Sequence, residues 1–498
     1  MPRSIPLQLS GEVGKPLHRQ LEDALRRFIL GGYLQRGERV PSIRELARQM
    51  HVAPATVAVA YEQLTAEGYL DPRVGSGTRV ASELPDSWMV AHDTSRHLAL
   101  SRSRGSASRI PAPIASIPQD PYVDRSVSPP PGELPYDFRR GRPGLDLFPT
   151  TLWDRLLRQA WRSLAASPRR EGLDYGDPAG TRRFREAISN HLRSARGLRC
   201  SPDMIVATGG SHPAFDASAR LLLGPGRACV VEDPGYPLAR RAIGATGGTV
   251  IGVGVDDRGL VTDALPKDAA MAMVTPSWQY PLGGTMPVAR RMELLQWAHE
   301  VGAVVVEDDY DSEFRYEGYP LVSLQGIDSD ERVIYVGTLS KSIYPGLRLG
   351  FAVVPNRIYR PFVSALELGQ RGTPILEQTV VAMFVEQGHF ERHLRRMRLA
   401  YARRQEALLQ ALNSFLSGRI SASAAPAGLH LVGVLEDQRL TATEVAQRAR
   451  EHGVGVTSLL PHQVSKRPDD RILMNYTGLK EDEIEEGVRR LARVFAQP

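Results

Sequence analysis

Lys341 stands in the run Gly337-Thr338-Leu339-Ser340-Lys341-Ser342, after the apolar stretch Ile334-Tyr335-Val336 and seven positions before Arg348. An amine among small hydroxyls, with a guanidinium close behind, suits a ligand that carries both an aldehyde and a phosphate. Lys341 would form an imine with the aldehyde, Ser340 and Thr338 would hydrogen-bond the phosphate, and Arg348 would pair with it through its planar fork. A second stretch, Val304 to Asp311, reads as a buried parallel strand that delivers acids at its carboxyl end, where open α/β sheets place their ligands. Asp308 lies 33 positions before Lys341, room for one further strand and loop. A carboxylate buried against a pyridine nitrogen keeps that nitrogen protonated and makes the ring an electron sink, and Tyr310 can donate to a ring phenolate. The two stretches together point to pyridoxal 5'-phosphate.

Two more stretches fit that ligand. Met204 to Ala214 reads as a strand, a glycine turn and a helix start, an anion seat built from backbone amides and the helix dipole. Because Pro213 lacks an amide hydrogen, the seat would rely on Gly210, Ser211 and His212. Tyr236, in Val231-Glu232-Asp233-Pro234-Gly235-Tyr236, offers an aromatic face on which a flat electron-poor ring can stack.

The elements that must hold these residues form one part of a longer chain. Its 498 residues leave room for two or three domains, and 42% hydrophobic with 24% charged residues is ordinary for a globular protein. Two cysteines, Cys200 and Cys229, make neither a disulfide framework nor a metal tetrad and are expected reduced and buried. The start has no apolar core of signal-peptide length, and no apolar run reaches membrane-spanning length, so the expected location is the cytoplasm. A net charge of +6 leans toward a polyanionic partner.

That partner is suggested by the front of the chain. From Pro16 to Ile29 apolar residues recur at helical spacing, and Gly31-Gly32 ends the helix. Ser42, with Glu45 three positions on, predicts a capping box that starts a short second helix. Another helix follows from Pro54 to Glu67, after the turn His51-Val52-Ala53. Two short helices across such a turn describe a helix-turn-helix, and Asp71 to Val80 reads as a hairpin with a glycine-rich tip, the wing. From 81 to 135 the composition shifts to Ser, Arg, Pro and Ala without periodicity, which predicts a linker. The domains expected are therefore 1–80, a winged helix; 81–135, the linker; and 136–498, the ligand-binding part.

The wording E-D-D-Y-D-S-E-F-R-Y, then G-T-L-S-K-x-x-x-P-G-L-R-L-G, resembles fold-type I pyridoxal-phosphate aminotransferases. The front, with P-S-I-R-E-L-A, A-E-G-Y-L and G-S-G-T-R-V, resembles the GntR-type winged helix. The combination resembles the MocR-type regulators. What this implies is an α/β protein: a winged helix-turn-helix, a large aminotransferase-like domain with a mostly parallel central sheet, and a smaller C-terminal α/β subdomain.

The resemblance also assigns roles. Ser42, Arg44, Thr56, Tyr61 and the wing residues Gly75, Ser76, Gly77, Thr78 and Arg79 would meet double-stranded DNA; Arg44 and the hydroxyls can take phosphates or base edges. Ala53-Pro54-Ala55 departs from the polar residues usual at the start of the recognition helix, which shifts the expected reading toward Arg44, Thr56 and the wing. Tyr175 would reach across a head-to-tail homodimer to the neighbour's cofactor phosphate, and Arg471 would clamp the carboxylate of an amino effector. Trp278 stands where the family often has histidine. The implied activity is PLP-dependent transcription regulation, with an amino compound or the cofactor itself as the signal. The alternative is a catalytically active aminotransferase that carries a DNA-binding domain.

Overall fold

The structure, a computed structural model, describes residues 16–73, 77–82, 134–139, 141–167, 171–318, 322–437 and 439–496. The chain divides into two compact units, 1–112 and 113–498.

In the first unit, α1 (Leu17–Leu30), α2 (Ile43–Met50) and α3 (Pro54–Ala66) precede the antiparallel pair β1 (Leu70–Arg73) and β2 (Gly77–Val80). One side of each helix is buried and these sides meet in one core, with Leu21, Leu25, Leu46, Val57, Leu64 and Val80 all buried. Ser42 caps α2 by accepting from the Glu45 amide at 3.3 Å. Of the predicted capping box only this arm forms. Ala53 offers no side-chain cap to α3, which begins with Pro54 in the position where a missing amide hydrogen costs least.

The second unit is built on an eight-stranded sheet in the order β4-β11-β10-β9-β8-β5-β6-β7. Its strands are β4 (Ile205–Thr208), β5 (Ala228–Asp233), β6 (Thr249–Asp256), β7 (Gly259–Leu260), β8 (Ala269–Val274), β9 (Val304–Asp309), β10 (Val333–Thr338) and β11 (Gly350–Val353). Strands β6, β5, β8, β9 and β10 run parallel in succession, while β11 and β7 are antiparallel to their neighbours. The central strands β9 and β10 are buried on both faces, whereas β6 toward one edge is largely exposed. Val304, Val306, Ile334 and Val336 pack with Phe215 and Phe362 from the helices Ser211–Leu222 and Asn356–Gly369, whereas Val305 and Val333 pack with Leu294 and Ala298 from Val288–Val301. Burial on both faces is why β9 and β10 read as unbroken apolar runs.

The C-terminal part is a four-stranded antiparallel sheet, β12 (Ile420–Ser421), β13 (His430–Leu435), β16 (Arg471–Asn475) and β15 (Thr457–Ser458), in that order. A parallel pair, β3 (Tyr136–Asp137) with β14 (Val454–Gly455), ties the front of the unit to it. The long helix His389–Phe415 and the helix Glu481–Leu491 cover it, with Tyr401, Leu408, Ile484 and Val488 in the shared core.

Candidate functional site

The carboxyl ends of the parallel strands converge on one region of the second unit. Strand alternation separates the two neighbouring acids of β9. Asp309 is held by the buried Arg196 guanidinium at 2.9 Å, by the Ser312 hydroxyl at 2.8 Å and by the Tyr335 hydroxyl. Asp308 points the other way, buried, with one carboxylate oxygen lacking any partner. Burial pushes its carboxyl up to about 8, with Asp309 and Glu232 adding to the rise and Lys341 opposing it. The Tyr310 hydroxyl is likewise buried without a hydrogen-bond partner, and burial, followed by Asp311 and Tyr280, raises its ionisation.

Lys341 follows β10 and donates from Nζ to the Gly141 carbonyl oxygen at 2.5 Å. Thr338 ends β10, buried, and its Oγ accepts from the Ser340 amide at 3.2 Å. Arg348 is exposed, with φ +49, after the short turn Pro345–Leu347. Its guanidinium faces the turn after β4, where a methyl on Gly210 would stand 3.8 Å from a guanidinium nitrogen. With φ +100, Gly210 adopts a conformation few L-residues tolerate, and it opens the helix Ser211–Leu222. Ser211 and His212 form the first turn of that helix, and burial lowers the His212 imidazole below its ordinary value, with Arg348 adding to the lowering. The Tyr236 hydroxyl is raised by burial first and then by Asp308, with Arg348 opposing. Tyr175 is 85% exposed, its ring 5.6 Å beneath Arg371.

These positions fit pyridoxal 5'-phosphate. A buried carboxylate and phenol without partners match a ring nitrogen and a ring oxygen, and a glycine turn at a helix start beside a guanidinium matches a phosphate.

Arg471 is a correction. It pairs with Val434 at the far end of β16, whereas Asn475, four residues on, pairs with His430 beside Lys341. Four residues of strand span about 13 Å. Its guanidinium is also spent on Asp469, at 2.9 and 2.7 Å. The sequence places an arginine in the right strand, but only the register decides which end of that strand reaches the site.

Three residues near Lys341 were not singled out by sequence. A methyl on Gly141 would stand 3.1 Å from both Lys341 Nζ and Asn475 Oδ1, so Asn475 flanks the amine. His430 donates from Nε2 to the Pro281 carbonyl oxygen at 2.8 Å, and burial lowers its imidazole to about 4. Tyr280 stands edge-on to Tyr236, Tyr310 and His430, with centroids at 5.8, 5.6 and 5.7 Å. Tyr280 was within reach of sequence reasoning, inside the loop Val274 to Gly283; His430 and Asn475 carry no local motif. Trp278 is 7% exposed and lies over Gly428.

In the first unit Ser42 and Arg44 are exposed at the start of α2, and Thr56 is half-buried in the first turn of α3. Tyr61 differs from expectation: it is 5% exposed, and its hydroxyl donates to the Pro41 carbonyl oxygen at 2.8 Å, so it fixes the entry to α2 from within the core. In β2, Arg79 donates to the Gly37 carbonyl oxygen at 2.9 Å, Thr78 is half-buried, and a methyl on Gly77 would meet Arg39 Nε at 2.8 Å. Gly75 and Ser76 lie outside the described residues, as do residues 83–133 of the expected linker.

A winged helix-turn-helix and a doubly covered, mostly parallel sheet with this convergence of groups define a DNA-binding regulator joined to an aminotransferase-like domain. Residues 17–80 match the family described as bacterial regulatory proteins, gntR family. The whole chain is 33% identical to the probable rhizopine catabolism regulatory protein MocR of Rhizobium meliloti, covering 98% of this chain and 96% of that one. It is 32% identical to the HTH-type pyridoxine biosynthesis transcriptional regulator PdxR of Corynebacterium glutamicum, covering 96% of each. Among solved structures, the kynurenine aminotransferase of Pyrococcus horikoshii superposes with a TM-score of 0.66 at 28% identity, over 74% of this chain and 92% of that one. The chain belongs to the MocR-type transcriptional regulators. Among the described residues no helix is long and apolar enough to cross a membrane.

Proposed function

We propose that the second unit binds pyridoxal 5'-phosphate at Lys341 and uses it to sense an amino compound, whose binding changes how the first unit engages DNA. The observation that carries this reading is the pair of buried, partnerless groups, the Asp308 carboxylate oxygen and the Tyr310 hydroxyl, set beside the Lys341 amine. Burying such groups with nothing to bond is costly, and a ligand ring that supplies both partners removes the cost. Bound, the cofactor supplies an aldehyde that exchanges amines and a ring that withdraws electrons. Asp308 would hold a proton on the ring nitrogen, Tyr310 would donate to the ring oxygen, and Tyr236 would stack on the ring. Gly210, Ser211, His212, Thr338, Ser340 and Arg348 would seat the phosphate.

The working form is proposed as a homodimer in the cytoplasm, with Tyr175 reaching the neighbour's phosphate; its 85% exposure within one chain leaves it available for that contact. Residues 1–80 would carry DNA recognition, 81–135 the tether and 136–498 the sensor. Effector binding acts through its different affinity for the two arrangements of these parts. Arg471 is tied to Asp469 away from Lys341, so it is not the residue that would hold a carboxylate of the effector there.

Mixing the full chain with pyridoxal 5'-phosphate and recording its visible absorbance tests the reading. The wild type is expected to acquire a protein-bound band that survives desalting, and Lys341→Ala to show none while still binding its own promoter DNA. A band of equal strength in Lys341→Ala would refute the assignment.

A further inference from the structure

The outward side of α3 is apolar in its first two turns. Pro54, Ala55 and Val59 are exposed, Val59 by 46%, while Val57, Ala60, Tyr61 and Leu64 take the buried side. Polar groups are scarce there: Thr56 is half-buried, the Tyr61 hydroxyl is spent on the Pro41 carbonyl, and the first charged side chain is Glu62. A lone exposed valine would mean nothing. Here it sits on the second helix of a helix-turn-helix, the one that enters the major groove of DNA. Cations stand on the preceding helix instead, where Arg44 and Arg48 are exposed one turn apart and suit phosphates.

What an apolar side chain can read in that groove is limited. Pressed against O6 and N7 of guanine or the amine of cytosine, it strips their water and returns no hydrogen bond. Thymine differs by carrying a methyl group on C5, which projects into the major groove and gains by burial against another methyl. Ala55 and Val59 are four residues apart, about 6 Å along the helix axis, and the bases of one strand repeat every ~3.4 Å. The two side chains therefore cover two or three neighbouring base pairs.

We infer that Ala55 and Val59 read the C5 methyl groups of thymines, so that the operator carries neighbouring A·T pairs under α3 and is recognised there by its methyls rather than by its hydrogen-bonding edges. The inference rests on the DNA-recognition role given to residues 1–80 and adds the base chemistry to it. Arg44 and Arg48 would fix the register on the backbone, and the apolar side of α3 would choose the bases.

The test locates the bound sequence in the chain's own promoter fragment by footprinting. It then compares the full chain's affinity for that duplex with its affinity for one in which every protected thymine is replaced by deoxyuridine, a base that pairs identically and lacks only the methyl. Each lost methyl contact is expected to weaken binding roughly fourfold, so two of them lower affinity at least tenfold in fluorescence anisotropy. Deoxyuridine placed only outside the protected sequence should change nothing. In Ala55→Ser/Val59→Ser, whose positions are exposed, the tenfold difference should shrink below threefold at an unchanged melting temperature. Equal affinity of the wild type for the two duplexes, or a difference that the folded double variant keeps in full, would overturn the inference and leave DNA binding intact. The first comparison needs no variant, so it decides alone should the double variant misfold. A chain that protects no promoter sequence would remove the DNA-recognition role itself, and the inference with it.

Discussion

At the scale of single residues, Asp308 and Asp309 show how one position along a strand decides a role. Asp309 is neutralised by Arg196, whereas Asp308 is buried near Asp309 and Glu232 with only Lys341 to offset them. In the cofactor-free protein its carboxyl keeps its proton up to about pH 8. In the unfolded chain it releases that proton near ~4. The folded state thus binds more protons between these limits, so the stability this group contributes is full at low pH and is lost as pH rises through the window. Asp308→Asn escapes that loss. Its melting temperature, measured by calorimetry without cofactor, should gain on the wild type between pH 5 and pH 8.5, by on the order of a few kcal/mol in stability. An equal gap at both pH values would mean that Asp308 is ionised in the folded state. Glu307, pushed up to about 7 chiefly by burial, is present in both proteins and cancels in the comparison, whereas Glu232, also raised to about 7, is coupled to Asp308 and contributes part of the difference.

At the scale of elements, the turn between β4 and its helix and the entry to α2 each depend on one residue. Gly210→Val would impose a side chain on a backbone with φ +100 and fill the space facing Arg348. The expected result is at least tenfold weaker cofactor uptake in equilibrium dialysis, with little change in promoter binding by the cofactor-free form. Tyr61→Phe removes the donor to the Pro41 carbonyl and leaves that carbonyl buried and unpaired. Urea denaturation should show the winged-helix unit less stable by about 1 kcal/mol. Since Tyr61 lies inside the core, promoter affinity measured well below the transition should move less than tenfold; a larger drop would return Tyr61 to the DNA face.

At the scale of the whole molecule, a net charge of +6 and an exposed Arg44 at the start of α2 predict binding that weakens steeply with salt. Arg44→Ala should lower promoter affinity in fluorescence anisotropy, leave the cofactor absorbance as it was, and, where Arg44 meets a phosphate, reduce the slope of log affinity against log salt by about 1. An unchanged affinity would remove Arg44 from the interface. Sedimentation of the loaded protein would test the dimer, a single-chain mass arguing against the role given to Tyr175.

By itself the sequence determined the groups whose partners lie close along the chain. The paired motifs around Asp308 and Lys341, the glycine turn at Gly210 and the helix-turn-helix with its Ser42 cap each depend on local spacing, and the unbroken apolar runs of β9 and β10 follow from burial on both faces. Tertiary structure decided whatever depends on strand register and on packing between distant segments. It placed Asn475 rather than Arg471 at the amine, brought His430 to Tyr280, buried Tyr61, and separated Asp309 from the site by pairing it with Arg196. A hydrogen-bonded ladder can slide while each strand's residue pattern stays the same, so which end of β16 faces Lys341 is set by contacts hundreds of residues apart and is not written in any local run of letters.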